Sequence, residues 1–453
     1  MQKNQRAMLE GPLLKNIIFY TIPIILTSWL QLLFNAADLV VVGQFDGSNS
    51  LAAVGATGAI TNLIVNLFIG LSVGAGVCVA HGLGSNDEEV VHRTVHTAIP
   101  AAIVSGVFLT VVGVFLSGLF LTWMGTPENI LPLSTVYMQI YFGGMTFNMV
   151  YNFAASILRA AGDTQSPLKF LAISGVINVV LNLFFVVVLH MGVAGVALAT
   201  TISQAVSAVL VVITLMRRTD ACRLELKKMR FYKPQLMKMI RIGLPAGIQG
   251  SLFSISNVMI QSSINSFGDI VMSGNAASQN IEGFVFTAMN AFHQTAVNFT
   301  GQNVGARQYD RVKRILWTCL GCVAVTGFAL GMVLYGFGPQ LLKIYITDSQ
   351  EALGYGLIRM RYICLGYFLC GLMDVSTGAL RGMGASVEPM IISVLGVCGI
   401  RLLWIATIFQ IPQFHTTGCL YTSYAVSWTV TFAAQFAAFW IVYKRHTKST
   451  ESL

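Results

Sequence analysis

Long apolar runs separated by short polar stretches organise this chain. They recur at about residues 14–42, 51–80, 94–121, 131–158, 168–190, 193–216, 238–265, 272–302, 313–336, 357–380, 388–411 and 418–443. Each is long enough to cross a bilayer, which takes ~20 apolar residues in a helix rising about 1.5 Å per residue. All far exceed the ~10-residue alternating strands of a membrane barrel. The pattern predicts an all-α polytopic membrane protein with twelve transmembrane helices.

The polar positions inside those runs are few and periodic. The first segment is interrupted by Pro23 and carries one carboxylate, Asp38. Thr27, Gln31, Asn35 and Asp38 follow at steps of four, four and three, so they share a helical face. An ionisable group within a span costs at least ~2.5 kcal/mol, which marks Asp38 as a candidate functional residue. The bland alternative is an aspartate solvated near the helix end. Counted inward from the outer helix ends at 1.5 Å per residue, Asp38 lies ~7 Å deep, Thr200 ~10 Å, Asn182 ~12 Å and Asn178 ~18 Å. A carboxylate, two amides and a hydroxyl at similar depth can hold a small hard cation through oxygen, or a proton on the carboxylate. Alternatively, the amides only bridge helices.

The second half carries a longer polar stripe: Asn257, Gln261 and Asn265, then Asn290, Gln294, Asn298 and Gln302, again every four residues. Such a stripe is costly in lipid and is expected to face water or another helix. Glu282 and Asp374 are the intramembrane carboxylates of this half. Without an obvious basic partner they suit a cationic ligand; paired with Arg401 or Arg381 they would be structural. Gln31, Asn35, Asn257, Gln261, Glu282, Asn290, Gln294 and Asp374 are thus the candidate lining of a substrate cavity.

Composition agrees with the membrane reading. Of 453 residues, 55% are hydrophobic and 10% charged, against about 25% charged in soluble chains. The net charge of +9 lies in the polar stretches, so it argues for topology and against a nucleic-acid partner. Basic residues crowd the N-terminus (Lys3, Arg6, Lys15), residues 217–241, the Arg307–Arg314 stretch, Arg381 and the tail. By the positive-inside rule, both termini and a basic linker at 217–237 are cytoplasmic. The loop near 343–361 is mixed, with Lys343, Asp348, Glu351, Arg359 and Arg361. No cleavable signal is evident. The eight cysteines form no disulfide or metal framework, and Cys319 and Cys322 read as packing residues. Gly70, Gly74 and Gly76 read as helix-packing positions. His92 and His96 lack an HExxH context, and no GxSxG or Walker A appears. Enzyme and ATP-driven pump are therefore unsupported, and no cofactor is expected.

The two halves repeat. SILRAAGDTQSP at 156–167 aligns with GALRGMGASVEP at 378–389, placing Arg159 on Arg381, Gly162 on Gly384 and Pro167 on Pro389, each 222 apart. Pro23 meets Pro245 at the same spacing. This constant offset predicts two parallel six-helix lobes, 1–216 and 238–453. Asp38 falls on Ile260 and Asn178 on Ile400, so the lobes share a scaffold but differ in polar groups.

TIPIILTSWLQLLFNAADLVVVGQF, LAAVGA, ILRAAGDTQSP, ALRGMGAS and GQNVGA, spread along nearly the whole chain, resemble the multidrug and toxic compound extrusion (MATE) family. The resemblance implies a V-shaped cleft between two lobes and export of organic cations or drugs, by a monomer in the bacterial inner membrane, in exchange for H⁺ or Na⁺. It puts ion coupling on Asp38, Asn178 and Thr200, and acids of the substrate side on Glu282 and Asp374. Pro23 falls on the proline where the first helix bends. Many members have an acid where this chain has Asn182, which weakens the case for Na⁺ bound by Asp38, Asn178, Asn182 and Thr200. A lipid-linked oligosaccharide flippase is the nearest rival. It would be expected to have a cationic cavity, whereas the intramembrane charges read here are mainly acidic.

Overall fold

A computed structural model describes residues 7–347 and 349–451. Lys3, Arg6 and Asp348, counted in the charge pattern, lie outside the described residues. The described chain is helical: α1 Leu13–Phe45, α2 Ser48–Gly84, α3 Glu88–Trp123, α4 Leu131–Gly143, α5 Met145–Ala160, α6 Gln165–Leu183 and α7 Gly192–Met216. There follow α8 Lys233–Asn265, α9 Asp269–Gly305, α10 Tyr309–Gly336, α11 Gly338–Tyr345, α12 Gln350–Ile363, α13 Tyr367–Gly382, α14 Val387–Ser393, α15 Ile400–Ala406 and α16 Thr417–Glu451. Wider π-turns, Phe184–Val188 and Val394–Gly399, continue α6 and join α14 to α15.

Every apolar run of the sequence is occupied by a helix or a broken helix. Eight described helical stretches are long and apolar enough to cross a membrane, and nine if α12 and α13, bent by 42°, count as one. The remaining runs fall short for a physical reason. α8 and α9 carry the Asn/Gln stripes, which lower their hydropathy, and α4 and α5 are parted at Gly144.

The repeat is visible in the backbone. Gly47 and Gly268 both precede a helix at φ 97°, and Gly162 and Gly384 close helices at φ 86° and 87°. Asn86 and Arg307 adopt φ 56° and 57° in corresponding turns. The break at Gly144 recurs at Gly366, 222 residues later. Left-handed φ is accessible to glycine without a Cβ penalty, so these turns explain why glycines recur where the halves agree.

The chain forms two compact units. One holds residues 26–247, the other residues 7–25 with the described residues from 248 to 451. Each division falls two residues beyond a helix-interior proline, Pro23 in α1 and Pro245 in α8. Proline withholds an N–H from the helical ladder and crowds the preceding turn, so each of these helices is weakest where its two ends part company. In the second unit the first half of α1 inserts Ile17, Tyr20 and Ile24 into the core. Tyr20 meets Phe299 edge-on at 5.2 Å, and the Thr21 and Thr295 hydroxyls hydrogen-bond at 2.8 Å.

In the first unit the start of α8 packs on α2 through glycines. A Cβ on Gly70 would lie 2.2 Å from the Gly247 nitrogen, and one on Gly74 2.2 Å from the Met239 carbonyl oxygen. Backbone on both sides leaves nothing to yield, which is the close approach expected of small-residue crossings. Gly70→Leu is expected to cost upward of about 3 kcal/mol through overpacking, read as loss of the monodisperse peak in fluorescence-detected size exclusion.

The basic linker is not simply a solvated charge run. Arg218 is 2% exposed and pairs with Asp220 through Nε (2.9 Å) and Nη2 (2.5 Å). The Glu225 N–H donates to His96 Nε2 at 2.9 Å, and the Tyr232 N–H donates to Thr97 Oγ1 at 3.2 Å. His96 thus has a structural role, seating the linker on α3. Lys228 beside the exposed Glu225 holds that carboxyl below its usual range.

Candidate functional site

In the first unit α1, α6 and α7 bring the four coupling candidates together. Asn182 Nδ2 donates to Asp38 Oδ1 and, at 3.2 Å, to Asn178 Oδ1. Thr200 Oγ1 donates to Asp38 Oδ2 at 3.3 Å and accepts from Asn178 Nδ2 at 3.4 Å. Asn178 and Asn182 are buried and Asp38 is half-buried. The helical i, i+4 step stacks the two amides on one face of α6, one above the other, and α7 supplies the hydroxyl.

The chemistry of this cluster follows from its donors and acceptors. Both Asp38 oxygens face a donor, so a carboxylate is held in place without a cationic partner. Asn182 Oδ1 is enclosed and has no hydrogen-bond partner among the described residues. A buried orphan acceptor is costly, and one within the same amide as a carboxylate donor can serve a proton or a small cation that arrives at Asp38. Asp38, Thr200 and the amide oxygens fit a hard cation in ligand type, with one negative charge.

Gln31 and Asn35 stand apart from this cluster. Both lie exposed on α1, with no side-chain hydrogen bond among the described residues. Asn257 is likewise exposed on α8.

The second unit corrects the reading of its acids. Glu282 has a basic partner, Arg359 of α12. Arg359 Nε donates to both Glu282 oxygens at 3.1 and 3.3 Å, Nη2 donates to Oε1, and Nη1 donates to Asn275 Oδ1 at 2.8 Å. Both side chains are 4% exposed. Arg359 sits in a sequence stretch rich in charge and reads as a loop residue. The helix α12 nevertheless turns it inward, where Glu282 offsets the cost of burying it. Glu282 is therefore not free to attract a cation. Gln261 joins the same network, because it accepts from Asn275 Nδ2 at 3.2 Å and donates to Asn265 at 2.8 Å.

Asp374 has no salt bridge among the described residues; its nearest recorded side-chain partner is the Cys370 thiol at 3.9 Å. Arg381, read from sequence as a cytoplasmic charge, is 7% exposed. Its Nη2 donates to Gln249 Oε1 at 2.7 Å, and its Nη1 lies 3.3 Å from His293 Nε2. His293 in turn bonds the Asp374 carbonyl at 2.7 Å. Asn290 and Gln294 form a rung along α9 at 3.1 Å, continued by Asn298 donating to the Gln294 carbonyl at 2.9 Å. Much of the stripe therefore satisfies itself along its own helix.

The interior charge of this unit is consequently not mainly acidic. Arg359, Arg381 and Arg401 are all buried, against two carboxylates, Glu282 and Asp374. Sequence reading missed Asn275, Arg359, Tyr421 and Tyr424. Asn275 lies 84 positions from Arg359 and 146 from Tyr421, so no local periodicity links them and only the spatial assembly reveals them.

Comparison with known proteins fits this architecture. The MatE family model matches residues 23–184 and 245–407, two windows beginning at the paired prolines. A Bacillus subtilis (strain 168) protein named Probable multidrug resistance protein YpnP is 29% identical over 400 residues, covering 86% of this chain and 87% of that protein. Probable multidrug resistance protein YoeA of the same strain is 25% identical over 396 residues, covering 86% and 85%. Among solved structures, a MOP superfamily transporter from Pyrococcus furiosus, described as having a binding pocket of reverse polarity, superposes with a TM-score of 0.90 at 20% identity, covering 97% and 98% of the two chains. With two repeats matched over most of its length and the fold shared throughout, the chain belongs to the MatE family, the multidrug and toxic compound extrusion transporters, and is a multi-pass membrane transporter and not an enzyme.

Proposed function

We propose that the protein is a secondary antiporter that exports drug-like organic molecules in exchange for inward H⁺ or Na⁺, with Asp38 as the coupling group. The observation that carries this reading is the Asp38–Asn182–Asn178–Thr200 cluster, a carboxylate held by neutral donors with an orphan acceptor beside it. The names of the relatives, multidrug resistance proteins, support the cargo class. Uptake or release of an ion at Asp38 can drive export only by favouring one conformation, while cargo favours the other. In this reading the protein lies in the bacterial inner membrane with both termini and the 217–237 linker cytoplasmic, as the positive-inside count expects.

The charge argument against a lipid-linked oligosaccharide flippase does not survive the three buried arginines. The family match and the multidrug names favour extrusion instead. The test is movement of a fluorescent organic cation in proteoliposomes with a proton gradient and a sodium gradient imposed separately. Stimulation by one gradient supports the antiporter; indifference to both rejects it. Asn182→Asp supplies a second carboxylate and is expected to raise apparent Na⁺ affinity about tenfold, since charge count tunes cation sites. The Na⁺ dependence of transport by that variant measures it.

A further inference from the structure

We propose that Arg401 of the second unit is an anion subsite, which takes the carboxylate or phosphate of an aromatic ligand against Tyr424, Ser427 and Trp428. Arg401 is 4% exposed. Its guanidinium lies 4.0 Å over the Tyr424 ring and 5.6 Å from Trp428, and its Nε donates to Ser427 Oγ at 3.0 Å. No carboxylate pairs with it among the described residues. Nη1 and Nη2 have no acceptor there, yet they are not among the enclosed unpartnered atoms, so they retain accessible surface. They form the outer edge of the fork that matches a carboxylate or phosphate with two parallel hydrogen bonds.

The surroundings sharpen the assignment. The Tyr424 ring also faces Arg359 at 5.8 Å, but Glu282 already neutralises that guanidinium. Arg401 has no such counter-charge, and a buried guanidinium calls for one. Trp428 stacks on Tyr367 at 5.4 Å and meets Tyr424 edge-on at 5.5 Å, which provides aromatic faces beside the fork. The π-turn Val394–Gly399 immediately precedes this helix, and such turns re-aim side chains at functional positions. By the 222-residue offset, Arg401 follows the counterpart of Asn178 (178 + 222 = 400). The same stretch thus serves an acid in one half and presents a base in the other.

This deepens the transport reading by naming a charge class of cargo, and rests on it only for the statement that the ligand is carried. The binding test needs no ion gradient, so it succeeds or fails independently of antiport. Full-length protein in lipid-depleted dodecyl maltoside is titrated by calorimetry with 1-pyrenebutyrate and with 1-pyrenebutylamine, the same ring with opposite charge. The wild type is expected to bind the butyrate about ten- to a hundredfold more tightly, the range of one charge-assisted bidentate contact. Arg401→Met removes the preference and Arg401→Lys keeps only part of it, because an ammonium lacks the fork. Should Arg401→Met fail to fold, thermal stabilisation by 1-pyrenebutyrate that is clearly smaller in Arg401→Lys than in the wild type supports the site, and equal stabilisation of the two overturns it. Displacement of the probe by added phosphatidylglycerol identifies a lipid headgroup as the resident anion. Displacement by inorganic phosphate alone points to a soluble one. Equal binding of both probes by the wild type, or butyrate binding unchanged in Arg401→Met, overturns the proposal.

Discussion

Asp38→Asn is expected to cut the ion stimulation of export about 5- to 150-fold, the usual range of a coupling free energy. The substitution preserves shape: an amide oxygen at position 38 can still accept from Asn182 Nδ2, the donor that now meets the carboxylate. The ability to take up a proton or to pair with a cation disappears, and the Thr200 hydroxyl, which donates to the second carboxylate oxygen at 3.3 Å, must instead accept from the new amide nitrogen. Cargo binding measured without a gradient should therefore persist, while downhill ion movement no longer drives cargo uphill. Proteoliposome transport with and without the imposed gradient reads both quantities in one preparation. Full ion stimulation in Asp38→Asn would move the coupling group elsewhere.

Arg359→Met is expected to destabilise the second unit by about 3–5 kcal/mol, because it leaves Glu282 charged and buried without its partner. Glu282→Gln should cost less, since Arg359 keeps Asn275 and the faces of Tyr421 and Tyr424 at 5.3 and 5.8 Å. The double variant Glu282→Gln/Arg359→Met should recover much of the loss, because replacing a whole buried pair is far milder than breaking it. Thermal unfolding of the four proteins in detergent gives the coupling between the two sites, expected at about 1–3 kcal/mol. Additive effects of the two single changes would mean that the pair is not a unit. The distinction has a functional edge, since a structurally committed Glu282 leaves Asp374 as the intramembrane carboxylate of that unit with no ion pair among the described residues.

The polar groups of the first unit were legible because they sit on long apolar helices. There a single carboxylate stands out against its background, and the 3.6-residue period assigns Asn178 and Asn182 to one face. The second unit was harder to read. Arg359 lies in a short, charge-rich stretch that resembles a loop, and Arg381 in a motif beside a turn. Hydropathy averages over a window and cannot tell whether a charged side chain points into a core or into water. The Asn/Gln ladder of α9 posed the related ambiguity of whether its amides bond to ligand, water or one another.

By itself the sequence determined the class of the protein, the helical segments and the duplication. These depend on local properties: apolar length against bilayer thickness, glycine's access to left-handed φ, and a constant offset. Tertiary structure alone decided which charges are paired, that the first half of α1 belongs with residues 248–451, and that Arg401 has no ion pair among the described residues. Pairing is a matter of distances between residues far apart in the chain, 77 positions for Glu282 and Arg359 and 162 for Asp38 and Thr200. Electrostatic energy in a low-dielectric interior depends on those distances, and no one-dimensional pattern contains them.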